Sequence, residues 1–424
     1  MSKFVLQGLS VASVLLLAGA ANGQDVFPFS DDGGLGAGSG EWSPPEIILP
    51  YYGIADVGTL GGLESYATGI NNAGDVVGGA KISSGLTRAF VRRNGVMTNL
   101  GTLGSLSYSS ANDINEAGDV VGVAAAAANL WGSTAQPFLV RAGSWTDLDP
   151  FNLGVYATAT GINNSGVVIG TNSFAGTGTL DSFLWSSGLP NAQARLPGDT
   201  CRISYGTGLN NYGEAVGFTA QPGACGSNSA VVYRAGGVFA LPTLGGDNSN
   251  AEHITDGGTI VGTAELPTGQ NRAVMWFNGQ VTNLGTLGGS SFALSASDDG
   301  IVVGYYIDNR SQQRAFVSMY GNMFDLNGLI PANTGWRLLI ATDVNERGQI
   351  VGQGRNPQGR LRGFILTPPC RSDFNRDGGI DGMDVESFFD AWSEGQDVAD
   401  MNLDGGIDGT DVENFFSFWT EGRC

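Results

Sequence analysis

The sequence predicts an all-β fold, a seven-bladed β-propeller closed by an N-terminal strand, followed by a small all-α module built on two calcium loops. Three observations carry this reading. The stretch Ile70-Asn71-Asn72-Ala73-Gly74-Asp75-Val76-Val77-Gly78 recurs seven times, its closing glycines standing at Gly78, Gly122, Gly170, Gly217, Gly262, Gly304 and Gly352. A near-constant period of roughly 45 residues marks a repeat architecture. The two ends of the array carry complementary defects, and residues 370–424 write one acidic loop twice.

Each copy of the repeat reads as a tight β-hairpin. An apolar residue and a small polar one, usually Asn, precede a turn ending in Gly, and a β-branched run follows. Glycine takes the left-handed conformation that such a turn needs, and an Asn side chain closes it. Two further strands complete a unit, as in Arg88-Ala89-Phe90-Val91-Arg92 and Met97 to Leu103, with Asn94-Gly95 turning between them. On the inner strand the apolar position is Ile70, Ile114, Ile162, Leu209, Ile254, Ala296 and Val344, expected to pack between blades. The residue before it is Gly69, Asp113, Gly161, Gly208, His253, Ser295 and Asp343. Small residues there allow close approach near the axis, and Asp113, His253, Ser295 and Asp343 are the polar irregularities.

The array begins with an orphan. Ile54 to Gly62 matches the last strand of a unit, as in Val281 to Gly289, and its own first three strands are missing. The seventh unit has its hairpin (Thr342 to Gly352) and a third strand (Arg362 to Leu366), then stops at Thr367-Pro368-Pro369. A closed ring whose chain ends share one sheet requires both defects, and closure removes the exposed sheet edges that invite aggregation. The propeller is therefore expected over 51–369.

Composition suits a secreted β protein. The 424 residues include 68 glycines, only 14% are charged, and the net charge is −20. So acidic a chain is not a nucleic-acid binder. Met1-Ser2-Lys3, the apolar run Phe4 to Ala21 and the small residues to Gly23 read as a secretory signal peptide over 1–23, and 24–50 as a flexible linker. No other stretch is long and apolar enough to span a bilayer, so no membrane span is expected after signal cleavage. The expected location is secreted, extracellular or at the cell envelope, where disulfides persist. Four cysteines allow three pairings; Cys201–Cys225 and Cys370–Cys424 each close within one module. Neither pair has the spacing of a zinc site.

The tail 370–424 carries Asp373-Phe374-Asn375-Arg376-Asp377-Gly378-Gly379-Ile380-Asp381-Gly382-Met383-Asp384, repeated from Asp400 to Asp411. Oxygen ligands fall at loop positions 1, 3, 5, 9 and 12, with a backbone carbonyl at 7 and Gly at 6, the spacing that calcium demands. The expected ligands of two calcium ions are Asp373, Asn375, Asp377, Gly379, Asp381 and Asp384, then Asp400, Asn402, Asp404, Gly406, Asp408 and Asp411. Val385, Phe388, Phe389 and Trp392, and again Val412, Phe415, Phe416 and Trp419, recur at helical spacing and predict two short helices facing each other. Unscreened carboxylates would repel in each loop, so the metal is expected to be needed for the fold.

Two resemblances follow. Repeats that combine Arg88-Ala89-Phe90, Gln136-Pro137-Phe138, Arg272-Ala273-Val274 or Arg314-Ala315-Phe316 with Leu-Gly-Thr-Leu-Gly-Gly and the Ile-Asn hairpin resemble the bacterial extracellular HAF repeats, although the His of that triplet is absent here. That family implies the architecture and no reaction. The duplicated loop–helix resembles a type I dockerin, which implies calcium binding and docking to a cohesin-like or cell-envelope protein. It departs from that family at loop positions 10 and 11, Gly382-Met383 and Gly409-Thr410, where the partner is read.

The function these features predict is non-catalytic binding or scaffolding: a propeller that displays loops to glycans or protein, on a calcium-dependent docking tail. His253 is the only histidine, which excludes a Ser-His-Asp triad with any other and a His-rich zinc site. The alternative is a carbohydrate-active enzyme, a glycoside hydrolase or lyase carried on a dockerin. It needs two carboxyl groups flanking one cleft. Asp113 and Asp343 are its candidates, with His253 as a third polar group.

Overall fold

The computed structural model describes residues 52–126, 135–149, 154–174, 180–187, 193–195, 204–221, 224–235, 237–319, 321–370, 372–375, 379–401 and 406–421. The expected signal peptide and linker lie outside them. The β region forms seven four-stranded antiparallel sheets, which we number as blades 1 to 7: 61–101, 108–147, 154–195, 204–240, 249–283, 291–325, and 337–367 together with 53–56. In blades 1 to 6 the strands follow chain order. In blade 7 the strand Gly53–Asp56 runs antiparallel to Leu361–Thr367, with Gly53 opposite Thr367 and Asp56 opposite Phe364. This strand is shorter than the stretch 54–62 read from the sequence, because Gly61 and Gly62 already begin the innermost strand of blade 1, Gly61–Ile70.

The core lies between blades. Ile70, Val76 and Phe90 of blade 1 pack with Val351 and Ile365 of blade 7, and Val77, Ala89 and Val91 of blade 1 pack with Ile114, Val120 and Phe138 of blade 2. The expected inter-blade role of the apolar position is thus met at Ile70 and Ile114.

A feature that the repeat does not announce is a β-bulge at one place in every blade. The register between the two innermost strands shifts between Ala67 and Gly69, Ala111 and Asp113, Ala159 and Gly161, Gly206 and Gly208, Ala251 and His253, Ala293 and Ser295, and Ala341 and Asp343. The bulge brings a carbonyl over the closing glycine of the repeat. A Cβ on Gly78 would lie 2.1 Å from the Tyr66 carbonyl oxygen, and one on Gly217 1.8 Å from that of Tyr205. This glycine therefore serves close approach, whereas Gly74, with φ +82°, serves the turn.

Neighbouring blades are clasped by a belt of buried asparagines. The Oδ1 atoms of Asn71, Asn115, Asn163, Asn210 and Asn345 each accept the amide four residues on and close their own turn, at 2.9–3.0 Å. Their Nδ2 atoms donate to the backbone carbonyl of Asn115, Asn163, Asn210, Thr255 and Asn71 in the next blade, at 2.9–3.3 Å. The last of these joins blade 7 to blade 1. That seam also has Ile70 N donating to Asp343 Oδ2 at 2.8 Å and Gly363 N donating to Ser65 Oγ at 3.2 Å, so the two terminal blades share the clasp found at four other seams.

The C-terminal part has two helices, α1 (Gly382–Ser393) and α2 (Gly409–Glu421). Phe388 and Phe415 stack with centroids 4.2 Å apart, and Phe374 stands edge-on to both. Phe389, expected on the same face, is 38% exposed. Among the described residues no helix is long and apolar enough to cross a membrane.

Asn115→Ala removes one clasp and one turn closure while leaving the amide of Asp119 without its acceptor. We expect a loss of about 2 kcal/mol in stability, read from urea unfolding at unchanged m-value, against little change for the exposed Gln280→Ala.

Candidate functional site

The innermost strands of all seven blades end at one mouth of the central channel, a cavity of about 320 Å³. The residue after each belt position forms its rim. Asn72 N donates to Glu116 Oε1, Glu116 N to Asn164 Oδ1, Asn164 N to Asn211 Oδ1 and Asn211 N to Asp256 Oδ1, at 2.8–3.0 Å. The ring continues from Gly257 N to Asp298 Oδ1 and from Asp298 N to Glu346, and Glu346 N donates to Asn72 Oδ1 at 2.9 Å. Seven side chains, one per blade, are thereby held with oxygen atoms around the axis. No Lys or Arg is among the described residues that line the mouth.

The structure brings Asp113, His253 and Asp343 into this mouth, as parts of the seams. Asp113 Oδ1 accepts Ile114 N at 2.7 Å and Oδ2 accepts Ile162 N of the next blade at 2.8 Å. Asp343 Oδ2 accepts Ile70 N, and its Oδ1 accepts Val344 N at 2.9 Å and the Ser295 hydroxyl at 2.6 Å. His253 Nδ1 faces Ala296 N at 3.4 Å. Burial, with the Asp343 charge adding to it, pushes the Asp113 carboxyl up to about 7. Burial also raises Asp343, against the opposing influence of His253, and lowers His253. A neutral imidazole is what an accepting Nδ1 requires. Both carboxylates thus have both oxygens engaged by backbone amides of two blades, an arrangement that ties neighbouring blades together.

Sequence reasoning missed Glu252. It occupies the bulge of blade 5 and lines the channel, and burial pushes its carboxyl up to about 7. It stands one place earlier in the chain than Asp113, His253, Ser295 and Asp343 do in their own repeats, where the polar irregularities of the inner strands are written. Glu346 at the rim is likewise pushed up to about 7, by desolvation and by Asp298, Asp299 and Asp256. Beside the mouth, an open groove of about 800 Å³ is bounded by Tyr212, Tyr233, Arg234 and Asp256.

In the tail, Asp373, Asn375, Gly379, Asp381, Asp384, Asp400, Gly406, Asp408 and Asp411 are described, and Asp377, Asn402 and Asp404 lie outside the described residues. Asp381 caps α1 by accepting Met383 N at 2.8 Å, and Asp408 accepts Thr410 N at 2.7 Å. The position-12 side chains are fully buried. Asp384 accepts the amides of Asn375 and Asp381, and Asp411 those of Met401 and Asp408. A carboxylate so braced has its orientation fixed while retaining lone pairs, and the donor set is all oxygen, which fits a hard cation. Among the described residues no three metal-ligating side chains converge. Cys370 is disulfide-bonded; Cys201, Cys424 and the side chain of Cys225 lie outside the described residues, so the two expected pairings do too.

No protein-family model matches the chain, and no curated protein matches it. Solved structures do resemble it distantly. The β-propeller domain of the Trilobed protease from Pyrococcus furiosus is 11% identical with a TM-score of 0.43, over 61% of this chain and 81% of that one. TolB from Acinetobacter baumannii is 13% identical with a TM-score of 0.41, over 73% of this chain and 65% of that one. The acylaminoacyl peptidase of Pyrococcus horikoshii is 11% identical with a TM-score of 0.43, over 63% of this chain and 46% of that one. At these values the likeness carries no functional argument, and the propeller rests on the sheet topology itself.

A folded-state pKa raised above the unfolded value opposes folding once the group ionises, so Glu252 weakens the fold as pH rises from about 4.5 towards 7. Glu252→Gln should match the wild type near pH 4.5 and exceed its stability at pH 8 by on the order of a few kcal/mol. Chemical denaturation at the two pH values checks this.

Proposed function

We propose that the protein is a secreted, non-catalytic binding or scaffold protein, whose propeller takes its ligand at the channel mouth and whose tail is a calcium-dependent docking module. The observation that carries this is the division of labour among the mouth's polar groups. The deep carboxylates Asp113 and Asp343 have both oxygens tied to backbone amides inside the channel, while the rim side chains, linked in their own ring of backbone amides, stand at the outer edge of the mouth where a ligand can reach them. An inert scaffold with a ring of exposed acceptors suits recognition. The enzymatic reading needs a free acid and base, and Asp113 and Asp343 are poorly disposed to supply them.

The HAF-like repeat and the dockerin-like tail belong to the same reading. We take residues 370–424 as the docking unit, with a cohesin-like or cell-envelope partner, and the two loops as the seats of two calcium ions. Each ion would be held by the oxygen ligands named for its loop, Asp373 to Asp384 and Asp400 to Asp411; calcium would neutralise them and pin the helix starts. Support comes from the two helices and from the braced Asp384 and Asp411. Secretion, the leader over 1–23, and the pairings Cys201–Cys225 and Cys370–Cys424 complete the proposal, and the strand Gly53–Asp56 is its ring latch.

Two measurements test this. EGTA should lower the helical far-UV CD signal and abolish a low-temperature unfolding transition of the tail, both restored by calcium; an unchanged spectrum counts against the calcium reading. A glycan array paired with a pull-down from cell envelope, with and without calcium, should give capture without turnover. Hydrolysis lost on substituting Asp113 or Asp343 would reverse the non-catalytic assignment.

A further inference from the structure

The hairpin turns around the mouth follow a rule that blade 4 breaks. Three blades end their third strand in an arginine, Arg93, Arg141 and Arg234, each paired with the acid just before its second strand, Asp75, Asp119 and Glu214. In blades 1 and 2 the guanidinium also covers the turn of the next blade. Arg93 Nη2 donates to Gly118 O at 3.1 Å, and a Cβ on Gly166 would lie 2.5 Å from Arg141 Nη2. Blade 4 differs: a Cβ on Gly258, the equivalent glycine of blade 5, would meet nothing within 4 Å. Arg234 instead borders the open groove of about 800 Å³ beside the mouth, its side chain 44% exposed and its Nε 2.6 Å from Glu214 Oε1. A guanidinium has five N–H donors, and one carboxylate occupies at most two of them.

A second departure falls in the same groove. The third position of the seven turns is Ala73, Ala117, Ser165, Tyr212, Gly257, Asp299 and Arg347, so blade 4 alone has an aromatic ring there and blade 5, beside it, alone has no side chain. Tyr212 is 79% exposed, the most open large apolar side chain among the described residues, and it lines the groove with Glu214, Arg234 and Asp256. The turn itself does not need the ring, since Asn210 Oδ1 closes it by accepting Tyr212 N and Glu214 N at 3.0–3.1 Å.

The groove is not the product of a loose seam. At five seams the bulged residue clasps a carbonyl of the next blade: Thr68 to Ala111, Asn112 to Ala159, Thr160 to Gly206, Thr207 to Ala251 and Thr342 to Ala67, at 2.7–3.0 Å. The asparagine clasps span the same five. The seam from blade 4 to blade 5 has both. Among the described residues the seams out of blades 5 and 6 have neither: their bulges hold Glu252 and Leu294, and their belt holds Thr255 and Ser297. On the far wall of the groove Asp256 is held through both oxygens by Asn211, at 2.7–2.8 Å. Walls fixed in this way, with one aromatic ring and a few placed polar groups, are the usual form of a small-ligand site.

Charge decides the ligand class. Glu214 matches Arg234, and Asp256 leaves the groove with one net negative charge in a chain of net −20, so an anion gains little by entering. What remains is a planar set of donors beside carboxylate acceptors, with a flat ring exposed next to them. Adjacent equatorial hydroxyls of a pyranose both donate and accept, and the C–H face of the same sugar lies flat on an aromatic ring.

Resting on the binding reading above, we propose that the groove between blades 4 and 5 binds a neutral pyranose unit of a glycan, stacked on Tyr212 with its hydroxyls shared between Arg234 and Glu214.

The test uses the full mature chain with calcium present and isothermal titration with cellohexaose, xylohexaose and chitohexaose as neutral probes and hexagalacturonate as the anionic one. At least one neutral probe should bind, and more tightly than the uronate. Tyr212→Ala should weaken that binding roughly tenfold or more at an unchanged unfolding midpoint, and so should Arg234→Lys, which keeps a cation beside Glu214 and loses the planar fork. Tyr212→Phe keeps the ring and should bind as the wild type does. Glu116→Gln, on the blade 2 rim, keeps an acceptor for Asn72 N and should also leave binding unchanged. Binding that is lost with Glu116→Gln and survives Tyr212→Ala would overturn the groove and leave the channel mouth as the site. Binding that ignores both Tyr212→Ala and Arg234→Lys overturns the groove as well, and tighter binding of the uronate overturns the neutral ligand class. Silence from every neutral probe overturns the inference, whereas the binding reading fails only if capture from the cell envelope fails too.

Discussion

Closing seven sheets into a ring brings their innermost strands together around one axis, where each pairs with its own sheet on one side only and the backbone groups of the other side need partners elsewhere. The bulge in each inner strand is the response. It turns one residue per blade out of the ladder and towards the next blade, and it presses a carbonyl onto the glycine across from it. Most features of the molecule can be traced to this crowding: the recurrent glycine, the threonine at the bulge, and the buried asparagine belt. An amide side chain suits the belt because one end accepts from its own turn while the other donates across the seam. A hydroxyl or carboxylate in its place performs only the first task, as Thr255 and Ser297 do.

The same constraint explains why the acids at the axis argue for architecture ahead of chemistry. Taking a carboxylate out of water is costly unless donors surround it. Asp113 and Asp343 meet that condition with backbone amides from two blades each. Glu252 has no such amides among the described residues, and burial raises its carboxyl as it raises those of Asp113 and Asp343. One ring therefore holds acids of two kinds, those that tie seams and one, Glu252, at a seam that lacks the bulge clasp and the asparagine clasp and is held by other contacts. Stability given up at a single location is common where a protein binds something else.

Much of this organisation is legible in the amino-acid sequence alone. The period, the turn glycines and the apolar position at Ile70 and its equivalents follow from local backbone geometry, which sequence records directly. The two loop–helix units are legible because ligand spacing and helical spacing are both short-range; Phe388 and Phe415 do meet, although Phe389 stays largely in solvent. The bulge is not legible, since a register shift belongs to a pair of strands and leaves no mark in either alone. Without it, Glu252 reads as an outward residue beside His253, and Asn115 as a turn residue with one task. The rim ring is hidden for a related reason: Asn72, Glu116, Asn164, Asn211, Asp256, Asp298 and Glu346 are unlike one another as residues and alike only in where each oxygen is held.

The central claim is that the seam clasps stabilise the wheel and that blade 5 forgoes them. The most direct measurement is the urea unfolding midpoint near pH 4.5, where removing the Glu252 charge by itself changes little, of the double variant Glu252→Thr with Thr255→Asn, which writes both clasps back between blades 5 and 6. The account predicts a gain of roughly 1–3 kcal/mol with an unchanged m-value. A variant no more stable than the wild type, with its fold intact, would contradict it.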